Sequence, residues 1–247
     1  MLHSPPMRLP PADLSYVLDR FNELFEQIES VSEADDTDLD GSVQLGDAMP
    51  QLIDLLARLG DHQNPVDQHP GELTTYGDYG LHMLARLADA AQRAQRDDLC
   101  GEVEVLSLAF ALWIVRNGGE LRQLRAVTNA VARLTGQTPQ PPVTTELYGC
   151  CCELIEAASP TYENQGVAQP AEPWRRLLLH RATLATWSRN PELIEPAYEA
   201  VVEYLPAEAG DFFAEGMEQI SVTDYPDGVC ELVRRFYLAH GRPRHLH

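Results

Sequence analysis

Residues 105–115 read VLSLAFALWIV and form the most apolar stretch of the chain. A helix that crosses a membrane needs about 20 apolar residues, and this stretch is roughly half that length. It therefore predicts a helix buried in the core of a protein that does not enter a membrane. Asn117-Gly118-Gly119 follows it and favours a turn into a further helix, which predicts an antiparallel helical hairpin.

Apolar residues recur at three- and four-residue steps on both sides of this segment, which is the pattern of amphipathic helices. Leu14, Val17, Phe21, Leu24 and Ile28 show it most clearly. Asn190-Pro191 predicts the start of another helix, since it places a capping residue before a proline. We expect about ten helices and no strand: 11–31, a short one at 52–59, 77–96, 101–117, 120–135, 144–158, and four after Pro173.

The predicted fold is therefore all-α, with antiparallel helical hairpins stacked as a compact bundle or a short α-solenoid. Three segments are expected within one continuous domain: an acidic helical pair (1–60), central helices including a hairpin (61–136), and a C-terminal block of hairpins (137–247).

The charge is strongly one-sided: 38 acidic residues stand against 18 basic ones, giving a net charge of −20. Residues 1–104 hold 21 acids and six arginines, so most of the excess lies there. Such a field repels nucleic acid and acidic lipids and attracts cationic partners. We expect a docking face for a basic protein, and an acid-rich proteome is the alternative explanation. The candidate partner-binding residues are Glu23, Glu26, Glu29 and Asp35, together with the tyrosines Tyr204 and Tyr237 of the aromatic-rich C-terminal part.

Residues 36–47 read DTDLDGSVQLGD and resemble an EF-hand calcium loop. Acids occupy the first, third, fifth and twelfth positions, and a glycine occupies the sixth, as a hard cation with oxygen ligands requires. The resemblance implies a calcium site in which Ser42 offers its backbone carbonyl. Asp36, Asp38, Asp40 and Asp47 would offer carboxylates. The alternative is a solvated acidic connector in which Asp47 caps the following helix.

Residues 192–206 read ELIEPAYEAVVEYLP and resemble the second helix of a tetratricopeptide repeat. Ile194, Tyr198 and Val201 occupy its apolar positions, and Pro206 closes it. The resemblance covers residues 175–206 and implies stacked helical hairpins that bind other proteins. A generic stack of helical hairpins is the alternative.

No catalytic motif stands out in the sequence. All 18 basic residues are arginine, which excludes chemistry that needs a lysine amine. Adjacent residues on a helix diverge by about 100°, so Cys150, Cys151 and Cys152 cannot share one zinc. We expect Cys151 to be buried, Cys150 or Cys152 to be exposed, and all thiols to be reduced in a cytoplasmic protein. The predicted function is non-catalytic protein binding, without a cofactor unless calcium binds. The alternatives are calcium binding and an enzyme whose site assembles from distant residues such as His180.

Overall fold

The fold is all-α. A computed structural model describes residues 8–32, 39–60, 70–137, 141–163 and 172–241, and within these ranges it contains ten helices and no strand. None of the helices in these ranges is long and apolar enough to cross a membrane. The helices are α1 (Leu14–Ser32), α2 (Leu39–Leu59), α3 (Pro70–Arg93), α4 (Asp97–Arg116), α5 (Arg125–Gln137), α6 (Pro141–Glu163), α7 (Glu172–Trp187), α8 (Pro191–Tyr204), α9 (Pro206–Val222) and α10 (Asp227–His240).

The chain forms two compact units. The N-terminal unit comprises Pro10–Arg133 and takes in Glu156–Thr161 from α6. The C-terminal unit includes Leu134–Ile155 and the helices α7 to α10. Nearly all of the two predicted segments 1–60 and 61–136 falls in the N-terminal unit.

Helix α4 carries the core of the N-terminal unit. It contains the apolar stretch 105–115, and most of its residues from Leu106 to Ile114 are buried. Both α1 and α3 pack against it, α3 along the greater length. The prediction of a buried core helix is confirmed, and its cause is the continuous apolar surface of α4, which needs partners on several sides.

Glycines allow α3 to approach its neighbours closely. A Cβ atom at Gly80 would lie 2.5 Å from a ring carbon of Phe110 and 2.9 Å from a methyl carbon of Leu52. At Gly77, a Cβ atom would lie 2.7 Å from a methyl carbon of Ile114. Real Cβ atoms do not come this close to other carbons, so the packing of α3 requires glycine at both positions.

Helix α2 begins much earlier than the sequence pattern predicts. It starts at Leu39, whereas the prediction was a short helix at 52–59. Leu45 and Met49 are both buried and extend the apolar stripe two turns upstream of Leu52. Pro50 lies inside the helix, where it removes a backbone donor without ending the element.

The link from α4 to α5 also differs from the prediction. Helix α5 begins at Arg125, not near residue 120, so residues 117–124 form a non-helical connection between the two helices. Leu121 is buried within this connection, and its backbone N–H donates to the carbonyl oxygen of Ala157 on α6 at 3.2 Å. A contact with another helix therefore replaces the helical hydrogen bond that the pattern predicted.

Helix α8 lies at the centre of the C-terminal unit, where α7, α9 and α10 all pack against it. Its predicted start is confirmed: Asn190 caps the helix by accepting a hydrogen bond from the backbone N–H of Glu192 at 3.1 Å. Ile194, Tyr198 and Val201 are buried, as the stripe predicts.

An aromatic cluster fills the space between α8, α9 and α10. The Tyr198 ring lies 5.0 Å from that of Phe213 and 5.2 Å from that of Phe236, measured between centroids. The Tyr198 hydroxyl lies 2.7 Å from the hydroxyl oxygen of Thr186 on α7, so its polar atom has a partner although the ring is buried.

Candidate functional site

Three acidic side chains form an exposed row on α1. Asp19, Glu23 and Glu26 are exposed and follow one another at four- and three-residue steps, which places them on one face of the helix. We call these residues the α1 acidic stripe. Glu29, one turn further on, is half-buried. The opposite face of α1 is buried against the core, so the acids face solvent because of the amphipathic pattern itself.

Arg20 links this stripe to α4. Its guanidinium donates hydrogen bonds to the carboxylates of both Glu23 and Glu102. These three side chains remain partly exposed, and ion pairs at such sites contribute under about 1 kcal/mol to stability. Arg20 thus offsets part of the charge of the stripe and connects it to an exposed acid on α4, Glu102.

A second ion pair lies at the start of α4. The Arg96 guanidinium donates to both carboxylate oxygens of Asp98, at 2.9 and 2.7 Å. These hydrogen bonds lower the pKa of the Asp98 carboxyl to about 2, so it stays ionised throughout the physiological range.

A shallow groove lies on the surface of the same unit where α2 packs against α3. Its volume is about 430 Å³, and its lining is more apolar than polar. We call it the α2–α3 groove; it is lined by Ala48, Gln51, Leu52, Asp54, Leu55, Arg58, Tyr76 and Tyr79. The side chain of Tyr79 stands out because 52% of the residue is exposed, which is unusual for a large aromatic residue.

Comparison with known proteins adds no family to this description. No protein-family model, no curated protein and no solved structure matches the chain.

The predicted partner-binding tyrosines belong to the C-terminal unit. Tyr204 is half-buried, and its ring meets the Trp174 ring edge-on at 5.2 Å between centroids. Tyr237 is also half-buried and lies against the backbone at Gly241, where an added Cβ atom would clash with its ring. Each ring therefore offers only part of its surface to a partner. Asp35, the remaining predicted residue, lies outside the described residues.

The predicted calcium loop coincides with the start of α2. Asp36 and Asp38 lie outside the described residues, and the backbone is helical from Leu39 onward. The side chains of Asp40 and Ser42 are not among those described. Asp47 is exposed in the body of the helix, so it is not the N-cap that the connector interpretation predicted. The calcium site stays a prediction, and its backbone would have to differ from the helix seen over residues 39–47.

The cysteine triplet is less accessible than predicted. Cys151 is fully buried, as expected, and burial raises the pKa of its thiol. Cys150 is also buried, so the expectation that it could be an exposed thiol is wrong; Cys152 is half-buried. All five cysteines are free thiols. Burial therefore disfavours the thiolate at Cys151, the form that reacts.

His180 is the residue that the sequence offered for a catalytic site assembled from distant positions. Burial lowers the pKa of His180, and the charge of Arg176 lowers it further, so this imidazole is neutral at pH 7. Among the described residues, no three His, Cys, Asp or Glu side chains are placed to hold a metal ion.

The sequence patterns missed the α2–α3 groove. Tyr76 and Tyr79 lie three residues apart, a spacing that places two tyrosines on one helix face. The prediction started the third helix at about residue 77, one residue after Tyr76, whereas α3 begins at Pro70. The tyrosine spacing was the available signal, and an earlier helix start would have revealed it.

Proposed function

We propose that this protein is a non-catalytic binding protein whose α1 acidic stripe contacts the basic surface of another protein. The observation that supports this best is the exposure of Asp19, Glu23 and Glu26 on a single face of α1. Arg20 offsets part of the charge of Glu23, and the stripe keeps a net negative charge that a cationic partner would neutralise.

The surrounding charge supports the same function. Arg20 is the only basic residue between Asp13 and Asp54 in the sequence, and its guanidinium already bridges Glu23 and Glu102. A long-range negative field of this kind accelerates the encounter with a basic protein and orients it before contact. Binding through such a surface should therefore weaken steeply with added salt.

A charge-neutralising variant tests the proposal. The wild-type protein and the double variant Glu23→Gln with Glu26→Gln are immobilised and used to capture proteins from a lysate of the source cells. The matched control is Glu203→Gln with Glu231→Gln, which removes two exposed acids from the C-terminal unit. We expect basic proteins bound to the wild type and to the control, released between 50 and 300 mM NaCl, and lost from the α1 variant.

Two results would overturn the proposal. One is capture that the α1 variant and the control variant reduce equally, because total charge alone would then explain binding. The other is capture of partners that stay bound in high salt regardless of the α1 substitutions, because the contact would then not be electrostatic.

A further inference from the structure

We propose that the α2–α3 groove receives a basic amphipathic helix of the partner, with aliphatic side chains entering the groove and arginine or lysine side chains over its rim. This inference rests on the proposed function and specifies the partner's chemistry at a second contact on the same unit. The α1 acidic stripe would attract the partner, and the groove would fix it.

The shape of the groove follows from the glycine on α3. Because Gly80 has no side chain, Leu52 of α2 lies directly against the backbone of α3. Leu52 is buried at this point of closest approach, and the surface above it is a depression with Tyr76 and Tyr79 along one side. Two packed helices with a depression between them present the kind of groove into which an amphipathic helix packs its apolar face.

The chemistry of the lining favours aliphatic anchors. Leu55 and Ala48 are only half-buried, and Tyr79 exposes about half of its surface. Burial of such apolar surface in a complex favours binding. The tyrosine rings also offer a flat surface to a cation, and the ring quadrupole attracts an arginine guanidinium placed over it.

The charge at the rim favours a basic partner over an acidic one. Asp54 lines the groove, and Asp47 is exposed on the same helix face two turns earlier. Arg58 is the one base of the lining, and its guanidinium is paired with the Asp54 carboxylate. An acidic helix would meet Asp47 and the excess negative charge of the unit, whereas a basic helix would be attracted to both.

Two synthetic peptides probe this site on the full chain. The first is an 18-residue helix with leucines on one face and arginines on both flanks; the second is identical except that glutamates replace the arginines. Their affinities are measured by isothermal titration calorimetry. We expect the arginine peptide to bind and the glutamate peptide to bind at least tenfold more weakly.

Groove variants locate the binding. We expect Tyr79→Ala to weaken the arginine peptide at least tenfold and Tyr79→Phe to preserve its affinity within about threefold, since the ring provides the contact. Leu238→Ala is the matched control, because Leu238 is a large apolar residue that is 76% exposed on the C-terminal unit. This control should leave the affinity unchanged, and circular dichroism should show the wild-type helix content in all three variants.

The outcomes separate this inference from the proposed function. Peptide binding that survives Tyr79→Ala but falls in the Glu23→Gln, Glu26→Gln variant overturns the groove as the docking site and leaves the proposed function in place. If the arginine peptide fails to bind at millimolar concentration while the wild type still captures basic proteins, the groove is likewise overturned as the docking site and the proposed function stands. Equal binding of the two peptides overturns the basic character of the occupant.

Discussion

Gly80 is a residue on which the close packing of α3 against α2 and α4 depends. A methyl group there would meet the Phe110 ring at 2.5 Å, and Phe110 is itself fully buried. The ring cannot swing into solvent, so the core must deform. Overpacking of this kind costs about 1–3 kcal/mol.

We therefore expect Gly80→Ala to lower the free energy of unfolding by about 1–3 kcal/mol in urea denaturation followed by circular dichroism. The matched control is Gly71→Ala in the same helix, where an added methyl group meets nothing within 4 Å. Alanine favours helix over glycine, so this control should be neutral or slightly stabilising. Equal destabilisation by both substitutions would show that the contact with Phe110 is not the cause.

Tyr198 makes the stability of the protein sensitive to alkaline pH. Burial raises the pKa of its hydroxyl to about 12, although the hydrogen bond with Thr186 acts in the opposite direction. The unfolded chain loses this proton near pH 10 and the folded chain only near pH 12. Stability from this group is therefore complete below pH 10 and is lost as the pH rises towards 12.

We expect the free energy of unfolding to fall between pH 10 and pH 12, with Tyr198 contributing up to about 1.4 kcal/mol per pH unit. Tyr198→Phe removes that contribution and should flatten the decline, measured by urea denaturation across the pH range. Tyr148, whose pKa burial also raises to about 12, gives a second contribution of the same sign that the variant leaves in place. An unchanged slope in Tyr198→Phe would contradict the assignment.

Helix α2 and the predicted calcium loop share residues 39–47, and each requires a different backbone conformation there. In the helical form, Asp40 and Asp47 lie seven residues apart, which is about 10.5 Å along the axis. An EF-hand loop instead folds its ligands around one ion at about 2.3–2.6 Å. Calcium can therefore bind in the predicted manner only if the first two turns of α2 unwind.

We expect the helical form to prevail, so that 1 mM calcium changes neither the far-ultraviolet circular dichroism nor the heat in a calorimetric titration. The comparison variant is Asp36→Ala with Asp40→Ala. Heat in the wild type that disappears in this variant, accompanied by loss of helix content, would establish the calcium site and refute the expectation.

Sequence patterns located helices well where local signals agree and poorly where they conflict. Asn190 and Pro191 set the start of α8 by short-range capping, so that start was predictable. The connector interpretation placed the start of α2 at Asp47, yet the helix begins at Leu39, and buried Leu45 and Met49 hold it against the core upstream of Pro50. That burial depends on contacts with other helices, which no local pattern contains.

The candidate sites show the same division. The acids of α1 were predictable, because their positions follow from the apolar stripe on the other face of that helix. The α2–α3 groove was not, since it requires Leu52 on α2 to meet Gly80 on α3, and these two residues lie 28 positions apart in the chain. Which helix packs against which is decided by contacts between distant residues, and a pattern within one helix does not contain that information.

The whole chain carries a net charge of −20, and folding concentrates this charge on a small surface. Self-repulsion opposes the compact state more than the expanded one. We expect the thermal midpoint to rise when NaCl is increased from 20 to 500 mM, measured by circular dichroism. The Glu23→Gln, Glu26→Gln variant should show a smaller rise than the wild type. A fall in the midpoint with salt would mean that ion pairs such as Arg20–Glu102 outweigh repulsion.

Helix α6 contributes residues to both units. Residues 156–161 belong to the N-terminal unit, whereas Leu134–Ile155 belongs to the C-terminal unit. The backbone N–H of Leu121 donates a hydrogen bond to the carbonyl oxygen of Ala157, which is one of residues 156–161. A single cut in the chain near residue 133 therefore cannot release both halves intact. Protease digestion or gene shuffling that divides the chain there would leave the N-terminal unit without residues 156–161.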